Sequence, residues 1–183
     1  MVNTISNIVK HISFKLVSLN DAEFILSLRL DENKNKHLSS VANNLNAQKE
    51  WIESYKKREE NNLEYYYIIV IGEEKLGTVR LYDFKGDSFS WGSWILKKGV
   101  PPYAAIESAL LVYEIAFYKL GFKCSHFDVR KDNKKVVDFH SRFGGNIVSE
   151  DELNYYFNIT RKTYENTKKR YKKFLIERKN SEA

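Results

Sequence analysis

The sequence predicts one α/β domain built around a mixed sheet, and three observations indicate it. Runs typical of strands, such as YYYIIVI at 65–71, alternate with segments in which apolar residues recur at helical spacing. The order of these segments is strand, two helices, three strands, helix, strand, helix and a last pair of strands. The length of 183 residues suffices for one core, and no linker, internal repeat or low-complexity block divides it.

The boundaries of the predicted elements follow from periodicity and from turn residues. We expect strands at 14–19, 64–71, 76–82, 89–96, 124–129, 147–148 and 153–159, and helices through 24–30, after 46, at 103–120, after 133 and at 163–179. Asn20-Asp21 and Asn46 are expected to cap the first two helices, because their side chains can accept hydrogen bonds from the free N–H groups there. Residues 31–45 are polar and rich in asparagine, which is typical of a loop. The strand at 64–71 is apolar almost throughout, which indicates burial on both faces of the sheet.

The composition argues against several classes of protein. The single cysteine, Cys124, permits no internal disulfide and no multi-cysteine metal site, and the four histidines have no metal-ligand spacing. We therefore expect no metal. No apolar run approaches the ~20 residues of a membrane span, and the N-terminus lacks the apolar stretch and cleavage site of a secretory signal. The cytoplasm is the expected location.

The net charge of +6 resides in the C-terminal segment. Residues 161–183 hold nine Lys or Arg and three Glu, and the rest of the chain balances 21 basic against 21 acidic residues. We expect residues 1–160 to form the domain and 161–183 to form a basic helix or tail that packs on it or extends from it. A solvated helix face is favoured over docking on nucleic acid or an anionic membrane, so no stable nucleic-acid partner is expected.

Residues 123–144 contain the most informative pattern. An alternating strand runs to Asp132-Asn133, a turn or helix start. Val136, Val137, Phe139, His140 and Phe143 then follow at helical spacing, and Gly144-Gly145 ends the run. This arrangement resembles the second half of the acyl-CoA-binding core of the GNAT family of N-acetyltransferases. In that family a tyrosine seven residues after the asparagine serves as general acid, and the same count here reaches His140.

The resemblance covers residues 13 to about 160 and implies a GNAT-like fold. Such a fold has a mixed, mostly antiparallel sheet of about seven strands flanked by helices, with the fourth and fifth strands splayed apart. The pantetheine arm of acetyl-CoA, the implied co-substrate, enters between those strands. Gly92 in the fourth strand, WGSWIL, indicates a bulge, and the resemblance places a backbone N–H near Ile95 against the thioester oxygen. Taken singly, Trp91 and Trp94 are better explained as core or groove aromatics.

The segment LKKGVPPYAAIESALL predicts an anion site, because the N–H groups of a helix start attract negative charge. The resemblance implies that it holds the pyrophosphate of acetyl-CoA, with Ala105 and Glu107 at positions that the family fills with small residues. Glu107 would place an acid near the diphosphate, and Lys97 or Lys98 could offset it. An ordinary strand-to-helix loop is the alternative. The cofactor-binding residues implied by the resemblance are Trp94, Ile95, Leu96, Lys98, Gly99, Tyr103, Ala104, Ala105, Asn133 and Phe139.

Two histidines are catalytic candidates beside the Ile95 N–H. The implied role of His140 is to protonate the departing sulfur, since a thiol has a pKa near ~8.5 and an imidazolium near ~6.5, so the transfer runs downhill. His126 is a candidate base, acting directly or through water. Each histidine also has an ordinary structural explanation, as a satisfied core or surface residue. The implied mechanism is direct transfer within a ternary complex.

The acceptor is inferred from the front half, VSLNDAEFILSLRLDENKNKHLSS, and from DVRKDNKKVVDFHSRFG. Both segments resemble the GNAT branch that acetylates amino groups of nucleotide-linked sugars for surface polysaccharides. Arg29, Arg80, Tyr82 and Arg130 are the substrate-binding candidates. A protein N-terminal or ribosomal-protein acetyltransferase and a non-catalytic CoA-binding domain stay open as alternatives. The sequence also leaves the oligomeric state open, a homodimer included.

Overall fold

A computed structural model describes residues 4–31 and 42–177 of the chain. Most of the predicted asparagine-rich loop and the last residues of the basic tail lie outside the described residues. In the described part, the strands are β1 (Thr4–Ile5), β2 (Ser13–Leu16), β3 (Tyr65–Ile71), β4 (Glu74–Lys85), β5 (Ser88–Leu96), β6 (Cys124–Arg130), β7 (Asn146–Glu150) and β8 (Asn154–Thr160). The helices are α1 (Ala22–Leu30), α2 (Leu45–Glu60), α3 (Tyr103–Tyr118), α4 (Lys134–Arg142) and α5 (Arg161–Arg170), with 3₁₀ turns at Leu19–Asp21 and Lys172–Phe174.

These described strands form one sheet in the order β1-β2-β3-β4-β5-β6-β8-β7. Neighbouring strands pair antiparallel except β5 and β6, which are parallel. The predicted α/β class with a mostly antiparallel mixed sheet is therefore confirmed. The sheet has one strand more than the seven expected, because β1 is only two residues long and leaves no periodicity to read.

Two hydrophobic clusters pack on opposite faces of the sheet, and β3 contributes to both. Tyr66, Ile68 and Val70 pack with residues of α1 and α2 on one face. Tyr65, Tyr67 and Ile69 pack with α3 and the rest of the sheet on the other. All six of these residues are buried, which confirms the expected double burial of this strand and explains why it is apolar in both registers.

Two predicted helix caps differ in the structure: α2 is capped by another asparagine, and Asp21 occupies the cap position of α1 without a side-chain cap bond. The Asn44 side chain, not Asn46, caps α2, because its Oδ1 accepts the N–H of Ala47 at 3.1 Å. Asp21 lies at the start of α1, but its carboxylate accepts hydrogen bonds from the N–H of Ser18 at 2.8 Å and the Ser18 hydroxyl at 2.9 Å. Asp21 thus closes the 3₁₀ turn that precedes α1 instead of capping the helix.

The C-terminal segment packs on the domain through its apolar side. Tyr164 is buried, and its hydroxyl donates to Glu114 Oε1 at 2.9 Å; Lys168 Nζ lies 2.6 Å from the same carboxylate oxygen. The ring of Tyr171 stacks on Phe143 with centroids 5.3 Å apart. The predicted single helix at 163–179 is wrong in extent: α5 ends at Arg170 and the 3₁₀ turn follows.

Within residues 4–31 and 42–177, no helix is long and apolar enough to cross a bilayer. The same residues contain no group of three or more His, Cys, Asp or Glu side chains placed to hold a metal ion.

Candidate active site

A cleft opens where β5 and β6 part. The two strands pair only at Ser88 with Cys124 and at Phe89 with Ser125. Beyond these pairs lies a cavity of about 620 Å³ whose walls are residues 91–95 of β5 and 127–130 of β6. Asn133, Val136 and His140, at the start and along one side of α4, also line it. The sheet is thus open at the place where the resemblance implies an entering pantetheine.

A break in the β4–β5 ladder accompanies this opening. Thr78 pairs with Ile95, but Arg80 pairs with Gly92, so β5 has one residue more than β4 in the interval. Ser93 in the interval has a φ of 47°, and its carbonyl accepts the Thr78 hydroxyl at 2.8 Å. At Gly92 a Cβ would lie 3.1 Å from the Tyr82 hydroxyl oxygen, a tight contact that a small shift of the Tyr82 side chain would have to relieve. The irregularity expected at Gly92 is present, one residue further along the strand.

The ladder also decides which N–H of β5 faces the cleft. The Lys97 N–H donates to the Leu76 carbonyl at 2.8 Å, and hydrogen-bonded pairs alternate along an antiparallel ladder. Ile95, two residues earlier, therefore directs its N–H towards β4, and its carbonyl oxygen would lie 2.1 Å from a Cβ built on Gly77. Leu96 has the opposite orientation. The Ile95 N–H is therefore not placed to contact a thioester oxygen in the cleft, whereas the Leu96 N–H points away from β4; Ile95 itself still lines the cavity.

His140 lies in the wall of the cavity among aromatic rings. His140 is only 4% exposed. The centroid of its ring lies 4.5 Å from that of Phe127 and 5.2 Å from that of Trp91. Burial lowers the pKa of the His140 imidazole from 6.5 to about 3. The expectation that His140 stands ready as an imidazolium is therefore wrong, because the apolar surroundings keep the ring neutral at neutral pH.

One nitrogen of this ring has an unusual environment. His140 Nδ1 is buried and has no hydrogen-bond partner among the described residues. An unsatisfied buried polar atom costs about 1–3 kcal/mol of stability, so such atoms are rare outside functional sites. An unpaired imidazole nitrogen in the wall of a cleft is a group that can take or give a proton.

His126 does not line the cavity with His140. Its Nδ1 lies 2.6 Å from the Ser88 hydroxyl and its Nε2 lies 3.0 Å from Asp83 Oδ2, so both ring nitrogens have partners. Asp128, two residues further along β6, does line the cavity and is the one carboxylate among the described residues that do so. The alternation of β6 places the two side chains on one face, but the sequence does not indicate which of them reaches the cleft.

Glu107 does not face the loop that the resemblance assigns to the pyrophosphate. It is completely buried, and its carboxylate accepts the backbone N–H groups of His11 at 3.0 Å and Ile12 at 3.2 Å. The His11 Nδ1 lies 2.6 Å from the other carboxylate oxygen, and the His11 ring stacks on Tyr103 at 4.2 Å. The expected acid beside the diphosphate is therefore wrong: Glu107 binds the chain before β2. His11 had no distinguishing pattern in the sequence.

The loop before α3 keeps features suited to a phosphate. Gly99 has a φ of 80°, which favours glycine, and a Cβ there would meet nothing within 4 Å. Lys97 Nζ pairs with Glu74 at 2.6 Å, so the Lys98 ammonium is the one in this loop without an ion-pair partner among the described residues. Ser108, one turn into α3, donates to the Ala105 carbonyl at 3.0 Å and accepts the Trp94 indole N–H at 3.0 Å. Trp94 is thus fixed between the cleft and this helix.

The other predicted site residues divide between the cavity wall and its surroundings. Asn133 occupies the cap position of α4 without a side-chain cap bond and lines the cavity. Phe139 lies outside the lining, with its ring 5.0 Å from Trp94. The predicted residues in the cavity wall are Arg29, Arg80, Tyr82, Trp94, Ile95, Arg130, Asn133 and His140. The predicted residues that belong instead to β5, the loop and the first turn of α3 are Leu96, Lys98, Gly99, Tyr103, Ala104 and Ala105.

A sheet that opens between its two parallel strands, beside a glycine-containing loop and a helix start, is the arrangement that the resemblance to coenzyme A-dependent acyltransferases implies. Residues 12–146 match the family model described as the acetyltransferase (GNAT) domain, and the chain belongs to this family. Acetyl-CoA is the co-substrate that membership implies. A search of curated proteins gave no match.

Solved structures agree with this assignment. Apo FdhC, described as a nucleotide-linked sugar GNAT, is 45% identical to this chain, with 94% of this chain and 99% of that chain covered and a TM-score of 0.86. Mutant forms of the spermidine/spermine N-acetyltransferase SpeG from Vibrio cholerae are 16% identical, covering 85% and 97% of the two chains, with a TM-score of 0.69. A GNAT-family acetyltransferase from Bacillus anthracis is 12% identical, covering 87% and 99%, with a TM-score of 0.72. The last two similarities concern the fold alone.

Proposed function

We propose that this protein transfers the acetyl group of acetyl-CoA to a primary amine on a nucleotide-linked amino sugar. The observation that carries the proposal is the charge distribution of the cavity beside His140. Arg29, Arg80, Arg130 and Lys135 all line it, and Asp128 is the one carboxylate that the described part of the chain adds to the lining. Guanidinium groups bind phosphate oxygens in bidentate fashion, so several cations around one carboxylate suit a diphosphate that carries an amine. The 45% identity to a nucleotide-linked sugar GNAT supports the same acceptor class.

The proposed mechanism is direct transfer with both substrates bound. The amine nitrogen attacks the thioester carbon, the carbonyl oxygen becomes negative, and the Leu96 N–H stabilises it. The C–S bond then breaks as the amide forms. Starting from the neutral amine, one proton leaves the nitrogen and one reaches the sulfur, so this step consumes no external acid or base. Asp128 holds the ammonium form of the acceptor in the cavity; the ammonium first releases one proton to solvent water, and the neutral amine that remains is the nucleophile.

His140 moves the proton in this scheme. The neutral ring accepts the proton that the attacking nitrogen releases and gives it to the thiolate, and so ends the cycle unchanged. A developing thiolate raises the pKa of a neighbouring imidazole, because an opposite charge favours the protonated form. The pKa of the His140 imidazole, which is low in the free protein, therefore rises as the thiolate forms. The proton comes from the amine and is not stored on His140 beforehand.

The alternative of a non-catalytic CoA-binding domain loses one of its supports. It depended on an acid at the pyrophosphate, and Glu107 instead binds His11 and Ile12. A protein or peptide acceptor stays open as the alternative acceptor class, and peptides are therefore included in the test. We further propose surface-polysaccharide synthesis as the context of the reaction, since nucleotide-linked amino sugars are its activated precursors.

The direct test is thiol release from acetyl-CoA with the purified protein, against a panel of nucleotide-linked amino sugars, the same sugars without the nucleotide, and peptides with free N-termini. We expect thiol release and an acetylated product only with the nucleotide-linked sugars. Turnover on peptides with none on sugars would replace the proposed acceptor class. No thiol release over the whole panel, despite acetyl-CoA binding, would support the non-catalytic alternative.

A further inference from the structure

Arg80 is held in the cavity wall chiefly by stacking. Its guanidinium carbon lies 4.4 Å from the ring centroid of Tyr82 and 5.6 Å from that of Trp51. Its Nε is buried and has no hydrogen-bond partner among the described residues, and the closest carboxylate oxygen, Oε2 of Glu64, is 3.9 Å away. Rings thus orient the guanidinium, while the side chains of residues 4–31 and 42–177 compensate its charge only loosely.

Glu64 is engaged instead by an arginine outside the cavity. The Glu64 side chain is 9% exposed, and its Oε1 accepts the Arg58 Nε–H at 2.9 Å. Arg58 also donates from Nη1 to the Ser54 hydroxyl at 2.8 Å, one turn earlier on α2. Arg58 is not among the residues that line the cavity. One nearly buried carboxylate therefore has two arginine neighbours, one close and one distant.

We propose that Arg58 is a positioning residue for the acceptor site, because by neutralising Glu64 it keeps Arg80 available for a ligand diphosphate. This inference rests on the proposed function in so far as the diphosphate belongs to the acceptor. Arg58 itself touches neither substrate. It acts through Glu64, and Glu64 acts through its distance from Arg80.

The charge balance gives the inference its consequence. A nearly buried carboxylate that loses its closest partner is strongly destabilised, so it recruits the next cation within reach. In the absence of Arg58 that cation is Arg80, which is already 3.9 Å from Glu64. Closing that gap would turn Arg80 from the cavity and cancel its charge. Removing Glu64 as well would abolish the competition and release Arg80 again.

Binding of UDP, with inorganic pyrophosphate as second probe, tests this directly by calorimetry on the full chain. Saturating coenzyme A is present throughout, so that the cofactor's own diphosphate site is occupied. We expect Arg58→Gln to raise the Kd for UDP about tenfold and the double variant Arg58→Gln/Glu64→Gln to return it to within about threefold of the original value. Lys57→Gln removes the same charge from an exposed position on α2 and should leave the Kd unchanged.

Each remaining outcome has a definite meaning. An unchanged Kd in Arg58→Gln, a double variant that binds as weakly as the single one, or no UDP binding by the original protein overturns the inference. Thermal unfolding of each variant identifies a folding defect, and Glu64→Gln alone, expected within about threefold of the original Kd, then serves in place of Arg58→Gln. A Glu64→Gln protein that binds tenfold more weakly would equally overturn it. UDP binding as expected without thiol release on sugars would remove the proposed function and leave this inference standing.

Discussion

The ring of His140 lies 4.5 Å from that of Phe127, centroid to centroid, where β6 faces the open cleft. The aromatic surroundings of the imidazole remove it from water, and that loss of hydration lowers its pKa to about 3. A histidine seven residues after Asn133 is thus neutral in the resting protein. A neutral imidazole excluded from water suits the proposed role of passing a proton from the amine to the thiolate, and not that of an acid protonated beforehand.

Replacing His140 by Phe should slow turnover at least about 100-fold, since a positioned proton-transfer group contributes roughly 10²–10⁴ to the rate. The KM for acetyl-CoA should stay within about threefold, because the Phe ring fills the same aromatic site. Steady-state thiol release with varied acetyl-CoA gives both numbers. A variant with unchanged kcat would exclude His140 from proton transfer.

His140 also predicts how stability depends on pH. Its pKa is about 3 in the folded protein and 6.5 as an unperturbed value, so the unfolded chain binds the proton first as the pH falls. The contribution of the neutral ring to stability is complete above about pH 6.5 and is lost progressively down to about pH 3. The slope approaches about 1.4 kcal/mol per pH unit in that interval.

Urea unfolding at pH 7.0, 6.0 and 5.0 measures this slope, above the range in which most carboxylates titrate. In the same series on His140→Phe, the free energy of unfolding should depend less on pH, by the contribution of about one bound proton. Equal slopes in the two proteins would show that the pKa of His140 is the same in the folded and unfolded states, and therefore that burial does not lower it.

Asp128 and His126 make a matched pair for locating the acceptor's amine. Asp128→Asn should raise the acceptor KM about tenfold, because a carboxylate that lines the cavity loses its charge. His126→Gln should change neither KM nor kcat by more than about twofold, since both His126 nitrogens bind Ser88 and Asp83 outside the cavity. The reverse ranking of the two variants would restore His126 as the residue beside the amine.

Glu107→Gln should lower the free energy of unfolding by about 2 kcal/mol, because a buried carboxylate that accepts three hydrogen bonds loses its charge. The KM for acetyl-CoA should rise as well, since the His11 ring stacks on Tyr103, the first residue of α3. Chemical unfolding and acetyl-CoA kinetics measure the two effects. The exposed Glu152→Gln is the control and should change stability by less than about 0.5 kcal/mol. Equal stabilities of the two variants would mean that Glu107 adds nothing to the fold.

Local patterns in the sequence were sufficient for most elements of the fold. Residues close together in the chain indicate three such features: the double burial of β3, the irregularity near Gly92 and the spacing from Asn133 to His140. Even the cavity cations were accessible as candidates, because Arg29, Arg80 and Arg130 could be named from the resemblance. Boundaries and caps were less accessible, as Asn44 and Asp21 show, since several side chains near a helix start can compete for the same N–H groups.

The tertiary structure alone decided what these residues are in chemical terms. Glu107 and His11 are 96 positions apart. No local periodicity in the sequence indicates that the Glu107 carboxylate accepts a hydrogen bond from the backbone N–H of His11. The charge state of His140 depends on rings from β5, β6 and β8, and the N–H orientation of Ile95 depends on the register with β4. The sequence by itself determined where the chain forms strands and helices and which family it resembles. Desolvation and pairing between distant segments depend on which surfaces meet, and only the folded arrangement determines that.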